Sequence, residues 1–202
     1  MKERPILMSG PNIRSIQEDR KTQARRIAKI CKHPDFGCDI TPRELAREQQ
    51  HVIERACPYG QPSDRLWVRE TWFHQEGGPV YDAAGGVMDY FDDEIIYRAD
   101  KPNRKTVKWK PSIFMPRWAS RILLEITDIR VERLQDISEA DAKAEGVSPA
   151  AEEPFRDACG ELVVPAGRYR NGYRELWESI NGPGSWGLNP FVWVIIFKRI
   201  EG

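Results

Sequence analysis

The chain has 202 residues, is 40% hydrophobic, and carries 31 Lys or Arg against 31 Asp or Glu. That composition supports one good core, and a formal charge of zero gives no whole-molecule attraction to nucleic acid or membrane. No apolar run reaches bilayer length, and the start, Lys2-Glu3-Arg4, lacks a signal-peptide pattern, so a cytoplasmic location and no membrane partner are expected.

In chain order, Pro5-Ile6-Leu7-Met8 reads as a short strand and Ser9-Gly10-Pro11 as a helix start, with Ile13 and Ile16 on one face and Glu18-Asp19-Arg20 at its end. Lys21 to Ile27 looks extended but too charged for a buried central strand. Thr41-Pro42-Arg43-Glu44 is a capping box, and Leu45, Gln49, Val52 and Ala56 form one helical stripe behind it. Pro58 to Asp64 is turn-rich and leads into a strand over 65–73. After a glycine-marked connection, Glu94 to Ala99 is extended and Lys101 to Pro116 is basic and loop-like.

Ile122, Leu124 and Ile126 alternate, and Ile129 and Val131 resume the alternation out of phase, which predicts a β-bulge near Thr127-Asp128. Ser138 and Asp141 form a capping pair for a short helix stopped by Gly146. Glu145, in its last turn, opposes the helix dipole and needs solvent, a cation or a function. Tyr173, Leu176, Trp177 and Ile180 follow helical spacing and are expected in the core. Phe191 to Phe197 reads as an apolar closing strand, with Trp186 and Trp193 sealing a barrel end.

The pattern predicts a mixed α+β fold: a small β-barrel with peripheral helices and long insertions, in one domain over 1–202. A helical insertion is expected at 28–60 and loop-rich ones at 74–118 and 148–170.

Several groups of residues bear chemistry. Arg20, Lys21, Arg25 and Arg26 cluster beside a helix end and suit an anionic or polar ligand. Arg69 and Glu70 should face opposite sides of their strand, with Glu70 either a second acid or a partner of Arg25 or Arg26. In the basic segment, Lys105, Lys108, Lys110 and Arg117 could touch phosphate, and Trp109, Phe114 and Trp118 could stack on exposed bases or anchor the loop. No cofactor is required, although Cys31, His33, Cys38 and Cys57 could supply a tetrahedral zinc site in a spacing unlike a standard finger.

The run Ile13-Arg14-Ser15-Ile16, the Arg20-Lys21-Thr22 motif, residues 60–70, Ile126 to Arg130, the 137–146 helix and Trp193 to Lys198 together resemble the ASCH family of PUA-like β-barrel proteins, especially its longer phage and prophage members. The resemblance implies RNA, single-stranded nucleic acid or a modified nucleoside as partner. A bacterial branch of that family hydrolyses N4-acetylcytidine with a Lys, a Thr and a Glu. These fall at Lys21, Ala24 and Glu145, so the hydroxyl is missing; an amidohydrolase here would use Glu145 on water and Lys21 on the oxyanion. A phage protein-interaction adaptor, using the acidic 132–162 stretch, is the other alternative.

Overall fold

Strand β1 (Glu3–Leu7) is followed by Ser9 as the N-cap of helix α1 (Gly10–Gln17), which carries Pro11 in its first turn, where a missing N–H costs nothing. Strand β2 (Gln23–Ile27) follows directly. A two-residue pair, β3 (Cys31–Lys32) with β4 (Asp39–Ile40), precedes helices α2 (Pro42–Leu45) and α3 (Gln50–Ala56). The Thr41 capping box is present in full. The single helix expected behind it is interrupted, because Gln49 turns extended and caps α3. Leu45 and Val52 still reach the core.

The strand expected over 65–73 is also divided, into β5 (Arg65–Arg69) and β6 (Trp72–Gln75). At the break Glu70 turns its side chain inward and its N–H lies 3.2 Å from Met115 Sδ. The 74–118 stretch, expected to be loop-rich, carries hairpins: β7 (Gly78–Tyr81) pairs with β8 (Val87–Phe91), and β6 pairs with β9 (Glu94–Tyr97). Strand β10 (Leu123–Arg133) shifts register between Ile126 and Asp128, the predicted bulge. Helix α4 (Glu139–Ala144), the pair β11 (Phe155–Arg156) and β12 (Leu162–Val163), helix α5 (Arg168–Asn181) and strand β13 (Phe191–Ile200) complete the chain. The structure, a computed structural model, describes residues 1–81, 85, 87–104, 107–150, 155–156, 159, 162–163 and 168–201; Lys105 and most of the 148–170 insertion lie outside them.

The main sheet has the order β1-β5-β10-β13-β2, with β1 parallel to β5 and the other pairs antiparallel. The expected PUA-like barrel is therefore corrected. The order is linear, β1 and β2 are its two edges, and no sheet among the described residues closes on itself. Pro5 suits an edge position because it has no N–H for a further ladder. Where a closed barrel would run backbone to backbone, the side chain of Arg26 in β2 donates to the Leu7 carbonyl at 2.8 Å.

Strand β13 is buried on both faces. Trp193, Ile195 and Phe197 join Ile6, Ile13, Leu66, Leu124 and Ile126 in the larger apolar cluster. Val192 and Val194 point to the opposite side and meet Leu134, Ile137, Tyr173 and Trp177. Trp193 is thus an interior sheet residue and seals no barrel end. This two-sided packing sets α4 and α5 against one face of the sheet, next to the β2 edge, and the candidate site lies there.

Candidate functional site

Glu145 is held where it is by the turn that ends α4. Its N–H donates to Asp141 O at 2.9 Å, and Gly146 takes a φ of 79°. A Cβ at Gly146 would lie 2.8 Å from the Cβ atoms of Lys21 and of Ser15, so only glycine allows the helix end to come this close to Lys21. Ser15 Oγ and Arg20 Nη1 both donate to the Gly146 carbonyl, at 3.0 and 2.8 Å. Lys21 and Glu145 form an isolated backbone bridge, and Thr22 N–H donates to Ala144 O at 2.8 Å.

The side chains complete the contact. Lys21 Nζ donates to Glu145 Oε2 at 2.6 Å and to the Glu145 carbonyl at 2.9 Å, while Arg25 Nη1 donates to Glu145 Oε1 at 3.1 Å. Lys21, Arg25 and Glu145 are 4%, 3% and 3% exposed. Behind them Arg25 Nη2 reaches Glu132 at 2.7 Å, Arg130 ties Glu132 to Asp141, and Gln23 Nε2 donates to Asp141 O at 2.6 Å. The stretch is extended and forms an edge strand, in keeping with a run too charged for a buried central strand, yet Gln23, Ala24 and Arg25 are buried, and the arginine finds two carboxylates in the interior.

Burial pushes the Lys21 ammonium below its ordinary value, and the adjacent Glu145 carboxylate opposes that shift. Burial alone would raise Asp141, but hydrogen bonds from Gln23, Ser138 and Arg130 bring its carboxyl down to about 2. The Tyr173 phenol is pushed well above its ordinary value, by burial first and then by the Glu145 charge.

A cleft of about 280 Å³ opens beside the pair, lined by Leu7, Asn12, Lys21, Arg26, Tyr173 and Trp177 among others. Tyr173 and Trp177 come from the buried face of α5 and were expected only as core; they are core residues that also form a cleft wall. Asn12 was overlooked. The signal was a polar residue four positions before Ile16, on the apolar face of α1. Glu132 and Arg130 were also missed, although their alternation in β10 puts them on one face of the strand.

The other predicted residues lie apart from the pair. Glu70 is 2% exposed and raised by burial, and its partner is Arg121, at 2.9 and 3.1 Å, in place of the expected Arg25 or Arg26. Arg121 also binds Asp100 and stacks on Tyr97 at 3.9 Å. Arg69 lies over Trp67 and donates to Met115 O. Lys110 sits 4.9 Å over Trp72 and Trp118 meets Trp72 edge-on, so these two lie at a separate cluster around Trp72, Met115 and Ala119, while Arg117 pairs with Glu3. Lys108 is exposed and Trp109 half-buried. Arg20 is at the surface on Glu18.

Among the described residues no group of three or more His, Cys, Asp or Glu side chains could hold a metal ion. His33 Nδ1 accepts from the Asp35 and Phe36 amides, and burial pushes the Cys57 thiol up to about 11; Cys31 is half-buried and Cys38 exposed. No helix among the described residues is long and apolar enough to cross a membrane.

No family model, no curated protein and no solved structure matches the chain. The expected function, RNA or modified-nucleoside binding with its N4-acetylcytidine amidohydrolase and phage-adaptor alternatives, rested on an ASCH-type barrel and is withdrawn, because the sheet is open and no related protein supplies the missing support.

Proposed function

We propose that the cleft beside α5 is an acid–base site for a small carbonyl compound, with Lys21 and Glu145 as its reacting groups. The observation that carries this is the 2.6 Å ion pair, 4% and 3% exposed, on the floor of an apolar-walled cleft. A buried ion pair is a poor source of stability, since desolvation offsets its Coulomb gain, and a perturbed cation in a cleft favours a functional role.

The chemistry follows from the donors. Lys21 has three N–H groups and gives two to Glu145, so the third can meet a carbonyl oxygen and stabilise charge that develops there. Glu145 then takes a proton from the carbon next to that carbonyl and returns it, while Arg25 fixes the carboxylate's orientation. About 280 Å³ is at the small end of ligand clefts, and Trp177, Tyr173, Ile180 and Ile27 supply an apolar wall for a compact body. A nuclear magnetic resonance titration with 4-methyl-2-pentanone tests it. Saturable shifts at Tyr173 and Trp177, weakened in Lys21→Met, are expected; shifts absent from the cleft, or unchanged in the variant, sink the reading.

A further inference from the structure

Three groups on the cleft lining leave polar capacity open among the described residues: a guanidinium without a counter-charge, a phenol and a carboxamide. The charges behind the Lys21–Glu145 pair cancel: Lys21, Arg25 and Arg130 face Glu145, Glu132 and Asp141. Arg26 stands outside that balance. Its hydrogen bonds go to neutral acceptors, the Arg25 carbonyl at 3.0 Å, the Leu7 carbonyl at 2.8 Å and Met8 Sδ at 3.5 Å, and among the described residues it has no carboxylate partner. Its charge acts on its neighbours nonetheless, at Lys21 and at the Tyr173 phenol.

The second group is the Tyr173 hydroxyl. Tyr173 is 3% exposed and lines the cleft, its ring is held by Trp177 and Trp186, and no hydrogen bond reaches its oxygen among the described residues. The third is the Asn12 carboxamide, on a residue 8% exposed that also lines the cleft, again without a hydrogen bond among the described residues. A phenol and a carboxamide whose polar atoms keep contact with the cleft solvent, beside a guanidinium without a carboxylate, are convergent polar groups in an apolar-walled cleft, the pattern of a ligand site.

We propose that the compound taken by the cleft is a carboxylate, its anionic group held by Arg26, Tyr173 and Asn12 while its carbonyl meets Lys21. This rests on the reading of the cleft as a site for small carbonyl compounds and adds the ligand's charge to it. One uncompensated guanidinium matches a single negative charge. Arg26 keeps its Nε–H and one Nη1 hydrogen uncommitted, so a carboxylate oxygen can take a charge-assisted N–H from it and leave its remaining lone pairs to the phenol and the carboxamide. The expected class is a small 2-oxo or 3-oxo acid with a branched or aromatic body, which brings carbonyl, carboxylate and apolar surface together.

The test compares 4-methyl-2-oxopentanoate with the neutral 4-methyl-2-pentanone in titrations of the full chain followed by tryptophan fluorescence, with inorganic phosphate as a third probe. The keto acid should bind on the order of tenfold more tightly than the ketone, the scale of one charge-assisted contact. Arg26→Gln should bring it down to the ketone's affinity, and Tyr173→Phe, which removes only the hydroxyl, should weaken the keto acid several-fold. Thermal melts establish that each variant is folded. Equal binding of ketone and keto acid by the wild type, or a preference that survives both substitutions, overturns the carboxylate assignment and leaves the carbonyl reading in place. Tighter binding of phosphate than of keto acid also overturns it. Failure of all three probes removes both readings together.

Discussion

Removing Lys21 leaves a carboxylate 3% exposed with Arg25 as its remaining cation. Breaking a buried pair by deleting one partner typically costs about 3 to 5 kcal/mol, because the other charge stays buried without compensation. Arg25 remains within 3.1 Å of Glu145, which places Lys21→Met near the lower end, at about 3 kcal/mol. With a urea m-value of about 2 kcal/mol per M, the midpoint falls by roughly 1.5 M. Glu145→Gln alone should also destabilise, since Lys21 then loses its counter-charge. The double variant Lys21→Met/Glu145→Gln should lose less than the two singles added, with a coupling of about 2 kcal/mol. Equilibrium urea unfolding followed by tryptophan fluorescence measures all four proteins. A midpoint for Lys21→Met within 0.2 M (about 0.4 kcal/mol) of wild type, or simple additivity in the double variant, refutes the buried pair.

Gly146→Ala should cost about 2 kcal/mol or more, since an L side chain is strained at a φ of 79° and its Cβ would meet Lys21 and Ser15 at 2.8 Å; an unchanged urea midpoint would sink the close approach. Asp141, held down to about 2 in the folded chain, contributes stability that is present above about pH 4 and is lost as pH falls towards 2. Asp141→Asn should therefore flatten the acid limb by about 1 to 2 kcal/mol, at the lower end because the carboxyl keeps solvent contact, and unfolding curves at pH 6 and pH 3 that stay parallel to wild type speak against it. Trp193→Ala should cost about 3 to 5 kcal/mol from the cavity left in the main cluster, which a denaturation midpoint equal to wild type contradicts.

Local signals in the chain were legible because each involves residues a few positions apart. The Thr41 capping box, the Ser138 cap on α4 and the phase change at Thr127-Asp128 all depend on such short spacings. Glu145 was conspicuous for the same reason, as an acid in the wrong turn of its helix, and its need for cations is met by Lys21 and Arg25. Closure of the sheet is not local. Whether β1 and β2 join depends on how far the strands twist and on where α1 passes, and alternation within either strand carries neither quantity. Glu70 illustrates the same limit, since its partner Arg121 is 51 residues away and nothing near Glu70 announces it. Tyr173 and Asn12 were hidden for a different reason: both fit an apolar helix face, and only their place on the cleft, without a hydrogen-bond partner among the described residues, marks them out.

Proton transfer by Lys21 and Glu145 at a bound carbonyl is measured directly by deuterium exchange. 4-Methyl-2-oxopentanoate is incubated with the protein in deuterated water and the label at the carbon beside the carbonyl is followed by proton resonance. Exchange faster than in protein-free solution, lost in both Lys21→Met and Glu145→Gln while the variants remain folded, is the predicted result. A wild-type protein that binds the keto acid and leaves its exchange rate at the solution value would contradict the account.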